Sequence, residues 1–159
     1  MANSSRYFET IHVLYAKNKF TVTDSSTVEY LPKLLLTQRF LAITNLSYVR
    51  YCGDRGLPQP PTSDHPRPSL AFKEWEMVWQ VIASMKGLKK LVVTGNGTIG
   101  SWMKLGEVQN AALLEPIKAV TAPQDFELRL PFRCDSSKVP WKDLPCRIGL
   151  TEDNLDSWW

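Results

Sequence analysis

Apolar residues along the chain fall first at helical and then at strand spacing, and this succession repeats four times. Phe8, Ile11, Leu14 and Tyr15 predict an amphipathic helix over residues 4–16, followed by a β-prone run from Lys19 to Thr23. Asp24, Ser25 and Ser26 supply caps for a second helix. Pro32 is expected in its first turn, with Leu35, Leu36, Phe40 and Ile43 as its buried stripe. Leu46 to Tyr51 then alternates as a strand. Residues 53–68 hold Pro58, Pro60, Pro61, Pro66 and Pro68 with no apolar periodicity, which predicts a long, mobile surface loop. Phe72, Trp75, Trp79, Ile82 and Met85 share one face of a third helix, and Gly87 is placed where a left-handed residue stops it. Leu88 to Thr94 is the next strand. Val108 to Val120 gives a weaker helix interrupted at Pro116, and Phe126 to Leu130 alternates as a fourth strand closed by Pro131.

This succession predicts an α/β fold in which helix-strand units build a mostly parallel sheet through right-handed crossovers, with the helices mainly on one face. The strand starts are about 27, 42 and 38 residues apart, too uneven for a sequence repeat, so the expectation is leucine-rich-repeat-like in architecture alone. One domain is expected over residues 1–148, with the loop at 53–68, and a tail over residues 149–159. The stretch from Arg133 onward is poor in periodicity, and order is expected to fade beyond Ile148.

Charge changes this picture little. Nineteen basic residues against sixteen acidic ones leave a formal +3, and nine basic to seven acidic residues precede Gln80, so neither half has the concentrated basic face that nucleic acid or a membrane surface requires. The sparse cluster Lys86, Lys89, Lys90 and Lys104 is set aside on the same ground. Cys52, Cys134 and Cys146 are odd in number and widely spaced, which suits a reducing compartment better than a disulfide framework. Neither a signal-peptide pattern nor an apolar run of membrane-spanning length is visible, so an intracellular protein, cytoplasmic or nuclear, is expected. On that basis the sequons beginning at Asn3, Asn45 and Asn96 are read as turn residues or chance matches.

Several patterns invite a chemical reading. Gly95-Asn96-Gly97-Thr98-Ile99-Gly100 is a literal G-x-G-x-x-G after a strand, the spacing that lets backbone approach a pyrophosphate at a helix N-terminus. Its strand is the third of the chain, and the acidic residue expected at the end of the following strand is missing, so a strand-to-helix turn is the better account. His12 lies on a helix face and His65 in the proline-rich loop, with no metal-ligand spacing to Cys or to each other. Glu74 with Glu76 and Asp153 with Asp156 read as solvated surface, and Trp75 with Trp79 as core. At the end of the chain, Asp156-Ser157-Trp158-Trp159 places two large aromatics after an acidic stretch, the makings of a short docking peptide.

The chain also resembles a known family. Glu9, Leu14-Tyr15, Asn18 and Phe20 resemble its first motif; Gln38-Arg39 with Ile43 and Leu46 its second; Trp75 and Trp79 before Met85, Gly87, Leu88 and Leu91 a looser third. Together they resemble the fungal proteins catalogued as domain of unknown function 7730, often found near F-box-like segments, from about Tyr7 to Ile148. Thr37 stands where that family prefers proline, and Asn3-Ser4 where it tends to have Cys-Arg, which implies a chain beginning inside the usual domain. The resemblance implies fold and fungal origin and carries no activity.

Taken together, the residues predict a non-enzymatic protein-protein interaction module, with no cofactor, no metal, no nucleic acid and no membrane, and with Trp158 and Trp159 as candidate partner-binding residues. The alternative is a nucleotide-dependent enzyme built on the glycine turn from Gly95 to Gly100.

Overall fold

Burial alternates cleanly along residues 125–130, where Phe126, Leu128 and Leu130 are buried between half-buried neighbours, and this segment belongs to one sheet of five strands. In the computed structural model, which describes residues 10, 13–52, 58–63, 65–97, 107–131 and 141–151, five strands run in the order of the chain: β1 (Lys19–Val22), β2 (Asn45–Cys52), β3 (Lys90–Gly97), β4 (Asp125–Leu130) and β5 (Arg147–Leu150). Every neighbouring pair is parallel. Parallel neighbours require crossovers. Helices α1 (Ser25–Leu34) and α2 (Thr37–Ala42) cross from β1 to β2, α3 (Leu70–Ser84) from β2 to β3, and α4 (Glu107–Leu114) with a 3₁₀ turn (Glu115–Ala119) from β3 to β4.

Register sets the inward side chains in rows. Phe20, Leu46, Leu91 and Phe126 form one row; Val22, Tyr48, Val93, Leu128 and Ile148 form the next. Val28 of α1, Phe40 of α2, the face of α3 from Phe72 to Ile82, Leu113 and Leu114 of α4 and Ile117 join the same cluster, with Tyr15 of the helical residues 13–17 against its edge. Helices and sheet therefore share a single core, whose largest contribution is the removal of these side chains from water.

Local chemistry explains the ends of the elements. Asp24 caps α1, its carboxylate accepting from the Thr27 amide at 3.0 Å. Pro32, expected in the first turn of this helix, lies well inside it. Proline supplies no amide and its ring crowds the carbonyl one turn back, and the helix ends two residues later. The chain restarts as α2, leaving Leu36 64% exposed instead of buried. The third helix keeps its expected face: Phe72, Trp75, Trp79, Ile82 and Met85 are all buried. Gly87 corrects the sequence reading, since its φ lies outside the left-handed region. Glycine is needed there because a Cβ would sit 1.8 Å from the Leu41 carbonyl oxygen. In the proline-rich stretch, Ser69 caps α3 and ties back to Gln59, whose amide donates to its Oγ at 3.0 Å. The fifth strand was not expected. It crosses residue 148, and the Thr151 amide continues the ladder to the Leu130 carbonyl at 3.0 Å.

Candidate functional site

Because all the described helices feed one core, the other face of the sheet carries no described helix. Period-two alternation puts Lys19, Asn45, Lys90 and Asp125 in its first row, Thr21, Ser47, Val92, Glu127 and Arg147 in its second, and Val49, Thr94, Arg129 and Gly149 in its third. Small side chains occupy the middle of the face, and charged ones its flanks.

Ion pairs organise the β4-β5 flank. Asp125 bridges two strands, accepting from Arg147 Nη2 at 2.6 Å and meeting Lys90 Nζ at 3.2 Å. The hydrogen bond from Lys90, seconded by Arg147, holds the Asp125 carboxyl below its usual range. Arg129 donates twice to Glu127, from Nε at 3.0 Å and from Nη2 at 3.3 Å. Across the face, Lys19, Lys90, Arg129 and Arg147 outnumber Asp125 and Glu127, and Lys19 has no ion-pair partner among the described residues. The flanks of this face are polar and modestly positive, while Ser47 and Val92 at its centre are buried.

At the carboxyl end of β2 the inward row changes character. Arg50 follows Leu46 and Tyr48 in phase and so points to the core side, with its guanidinium over the Trp75 ring at 5.1 Å. Nη2 reaches the Ala71 carbonyl at 3.5 Å, and Nη1 is buried without a hydrogen-bond partner. Sequence reasoning passed over Arg50; its signal was the match in phase with Leu46 and Tyr48.

The other residues singled out by sequence separate cleanly. Gly95, Asn96 and Gly97 do not form a turn: they are the end of β3, paired with Arg50, Tyr51 and Cys52. Thr98, Ile99 and Gly100 lie outside the described residues, and α4 starts only at Glu107. A phosphate loop needs its glycines between strand and helix, so the reading of Gly95 to Gly97 as a turn is corrected to strand. Trp75 and Trp79 are core, in edge contact at 5.2 Å. His65 is exposed, its amide bonded to Thr62 Oγ1, while Cys146 is half-buried and in no disulfide. His12, Cys134, Asp153, Asp156, Trp158 and Trp159 lie outside the described residues. Among the described residues no group of His, Cys, Asp and Glu is placed to hold a metal ion, and no helix is long and apolar enough to cross a membrane.

These features define a two-layered α/β unit, with a parallel sheet in chain order and the described helices on one side of it. The chain belongs to the family described as Domain of unknown function (DUF7730), whose model matches residues 2–150. No curated protein and no solved structure matches it.

Proposed function

We propose that the chain is a non-enzymatic protein-protein interaction module, an arc of helix-strand units akin to leucine-rich repeats whose sheet face opposite the described helices receives another protein. The observation that carries this reading is the contrast between the two faces: the described helices pack against one, whereas the other carries charged side chains on its flanks around a centre where Ser47 and Val92 are 6% and 9% exposed. A parallel sheet in a closed α/β fold is covered on both sides and its strands are apolar throughout. Here β4 reads Asp125, Glu127 and Arg129 on one side and Phe126, Leu128 and Leu130 on the other. The positive balance of the face suits a partner surface that brings carboxylates, which steer association and fix orientation.

The test is affinity capture from a lysate of the source cells with the tagged chain, beside Thr94→Arg, Lys19→Glu and a chain lacking Asp156 to Trp159. A partner retained by the wild type and lost with Thr94→Arg, at unchanged melting temperature, supports docking on the face. Capture that survives both face substitutions but fails without the tail transfers the site to Trp158 and Trp159. Failure to capture any protein sinks the proposal.

A further inference from the structure

Two lysine-bearing stretches that the sequence keeps far apart meet at the amino end of the sheet. Thr44, just before β2, ties them together: its hydroxyl donates to the Ala16 carbonyl, and its own carbonyl accepts from the amides of Lys89 at 2.8 Å and Lys90 at 2.9 Å. Lys17 and Lys19 are thereby gathered beside Lys86, Lys89 and Lys90. Lys90 is paired with Asp125, which Arg147 also engages. Lys17, Lys19, Lys86 and Lys89 are exposed and form no ion pair among the described residues. Four like charges held together by the fold repel one another and present a local positive field that the balanced composition of the whole chain conceals.

Apolar side chains border these lysines. Leu14, whose carbonyl accepts from Asn18 Nδ2 at 2.7 Å, is 53% exposed, and Leu41, whose carbonyl lies against Gly87, is 40% exposed. Lysines among leucines suit a polypeptide that brings carboxylates and large apolar side chains; nucleic acid is better met by arginine forks and aromatic platforms. One segment of this chain has that composition: residues 152–159, outside the described residues, hold Glu152, Asp153 and Asp156 together with Leu155, Trp158 and Trp159. Its three carboxylates cannot all reach the lysines of their own chain. Thr151 is tied to Leu130 at the far end of β4, six residues long with a rise of about 3.3 Å each, and lies two to four strand spacings of about 4.8 Å from the lysines. The separation is roughly 20 Å or more, whereas Glu152 and Asp153 extend at most about 7 Å past Thr151.

We propose that residues 152–159 of one copy dock on the lysine patch of a second copy, with Glu152, Asp153 and Asp156 set among Lys17, Lys19, Lys86 and Lys89 and the apolar side chains laid on Leu14 and Leu41. The carboxylates supply the missing counter-charge, and the tryptophans supply the apolar burial that exposed ion pairs lack. Because the donor segment and the receiving patch are different surfaces, the contact is heterologous, and each copy can both give and receive. It is separate from the partner proposed for the sheet face.

The experiment is sedimentation velocity of the full chain over a range of concentrations at low and high ionic strength. The expected result is reversible self-association at low salt that weakens at high salt, since the charges are exposed. Lys17→Glu with Lys89→Glu is expected to weaken association at least tenfold at an unchanged melting temperature, and so is Glu152→Lys with Asp153→Lys and Asp156→Lys. Mixing the two charge-reversed chains is expected to restore association, which reports the pairing of segment with patch and not charge in general. A chain monomeric at every concentration, association untouched by either set of substitutions, or a mixture that stays monomeric would overturn the proposal. So would a single-stranded oligonucleotide bound through the same lysines by a chain that stays monomeric, which assigns the patch to nucleic acid.

Discussion

Trp75 and Trp79 stand one helical turn apart in edge-to-face contact at 5.2 Å, yet their indole N–H groups have opposite fates. That of Trp75 donates to the Leu113 carbonyl across a separation of 38 residues; that of Trp79 is buried with no partner.

The two rings therefore predict different responses to the same change. Trp75→Phe removes a buried donor and leaves the Leu113 carbonyl unpaired, a loss of about 1–3 kcal/mol. In Trp79→Phe the loss of ring volume is offset by removal of an unsatisfied donor, and the expected change is smaller, about 1 kcal/mol or less. Urea unfolding of both variants checks the order; a greater loss for Trp79→Phe would contradict it.

Gly87→Ala places a methyl group on the Leu41 carbonyl oxygen, which is backbone and cannot rotate away. The turn between α3 and β3 must then separate from α2, and destabilisation of about 1–3 kcal/mol is expected. A proline elsewhere would act through the unfolded chain, but here the effect lies in the native packing. It therefore appears in the unfolding midpoint at an unchanged denaturant slope.

Asp24→Ala deletes the carboxylate that caps α1 and also accepts from the Ser26 hydroxyl. The expected loss is about 0.5–2 kcal/mol, with Asp24→Asn retaining most of the stability because asparagine caps as well. Far-ultraviolet circular dichroism during thermal unfolding reads both variants.

Asp125 gives the fold an acid-sensitive element. Its folded-state pKa is depressed by the hydrogen bonds from Lys90 and Arg147, so the contribution is complete above the unfolded carboxylate value, about 3.9, and is lost as pH falls through the lower folded value. Melting temperature is expected to fall with pH below about 4 in the wild type, and less steeply in Asp125→Asn. Because the group is exposed, added salt should weaken the difference between the two proteins.

The four apolar strands and the long helix were legible because burial imposes a period on them: Phe72, Trp75, Trp79 and Ile82 leave little choice of face. What escaped was set by neighbours and not by pattern. The glycines of β3 read as punctuation, but β2 offers them ladder partners as far as Cys52, and Gly95 and Gly97 extend the strand along β2 despite their weak propensity, beyond Thr94 where the pairing with β4 stops. At β5, four residues with Gly149 among them carry too few apolar positions to show alternation; the strand exists because β4 offers an unpaired edge. Gly149 itself lies under the Glu127 carboxylate, 2.9 Å from where a Cβ would stand. For the candidate sites, the open face is visible in the sequence only once the inward rows are known, and Arg50 looks like an ordinary strand arginine until the end of β1 and the start of α3 are placed around it.

Strand order following chain order has a mechanical consequence. Tension applied between Thr21 and Gly149 runs across the sheet and loads the ladders crosswise, so each can open by itself, like a zip, without shearing the others. Along the strands the same ladders share the load. The domain is thus expected to be compliant in one direction and stiff in the perpendicular one, a grain that a partner seated across all five strands would remove.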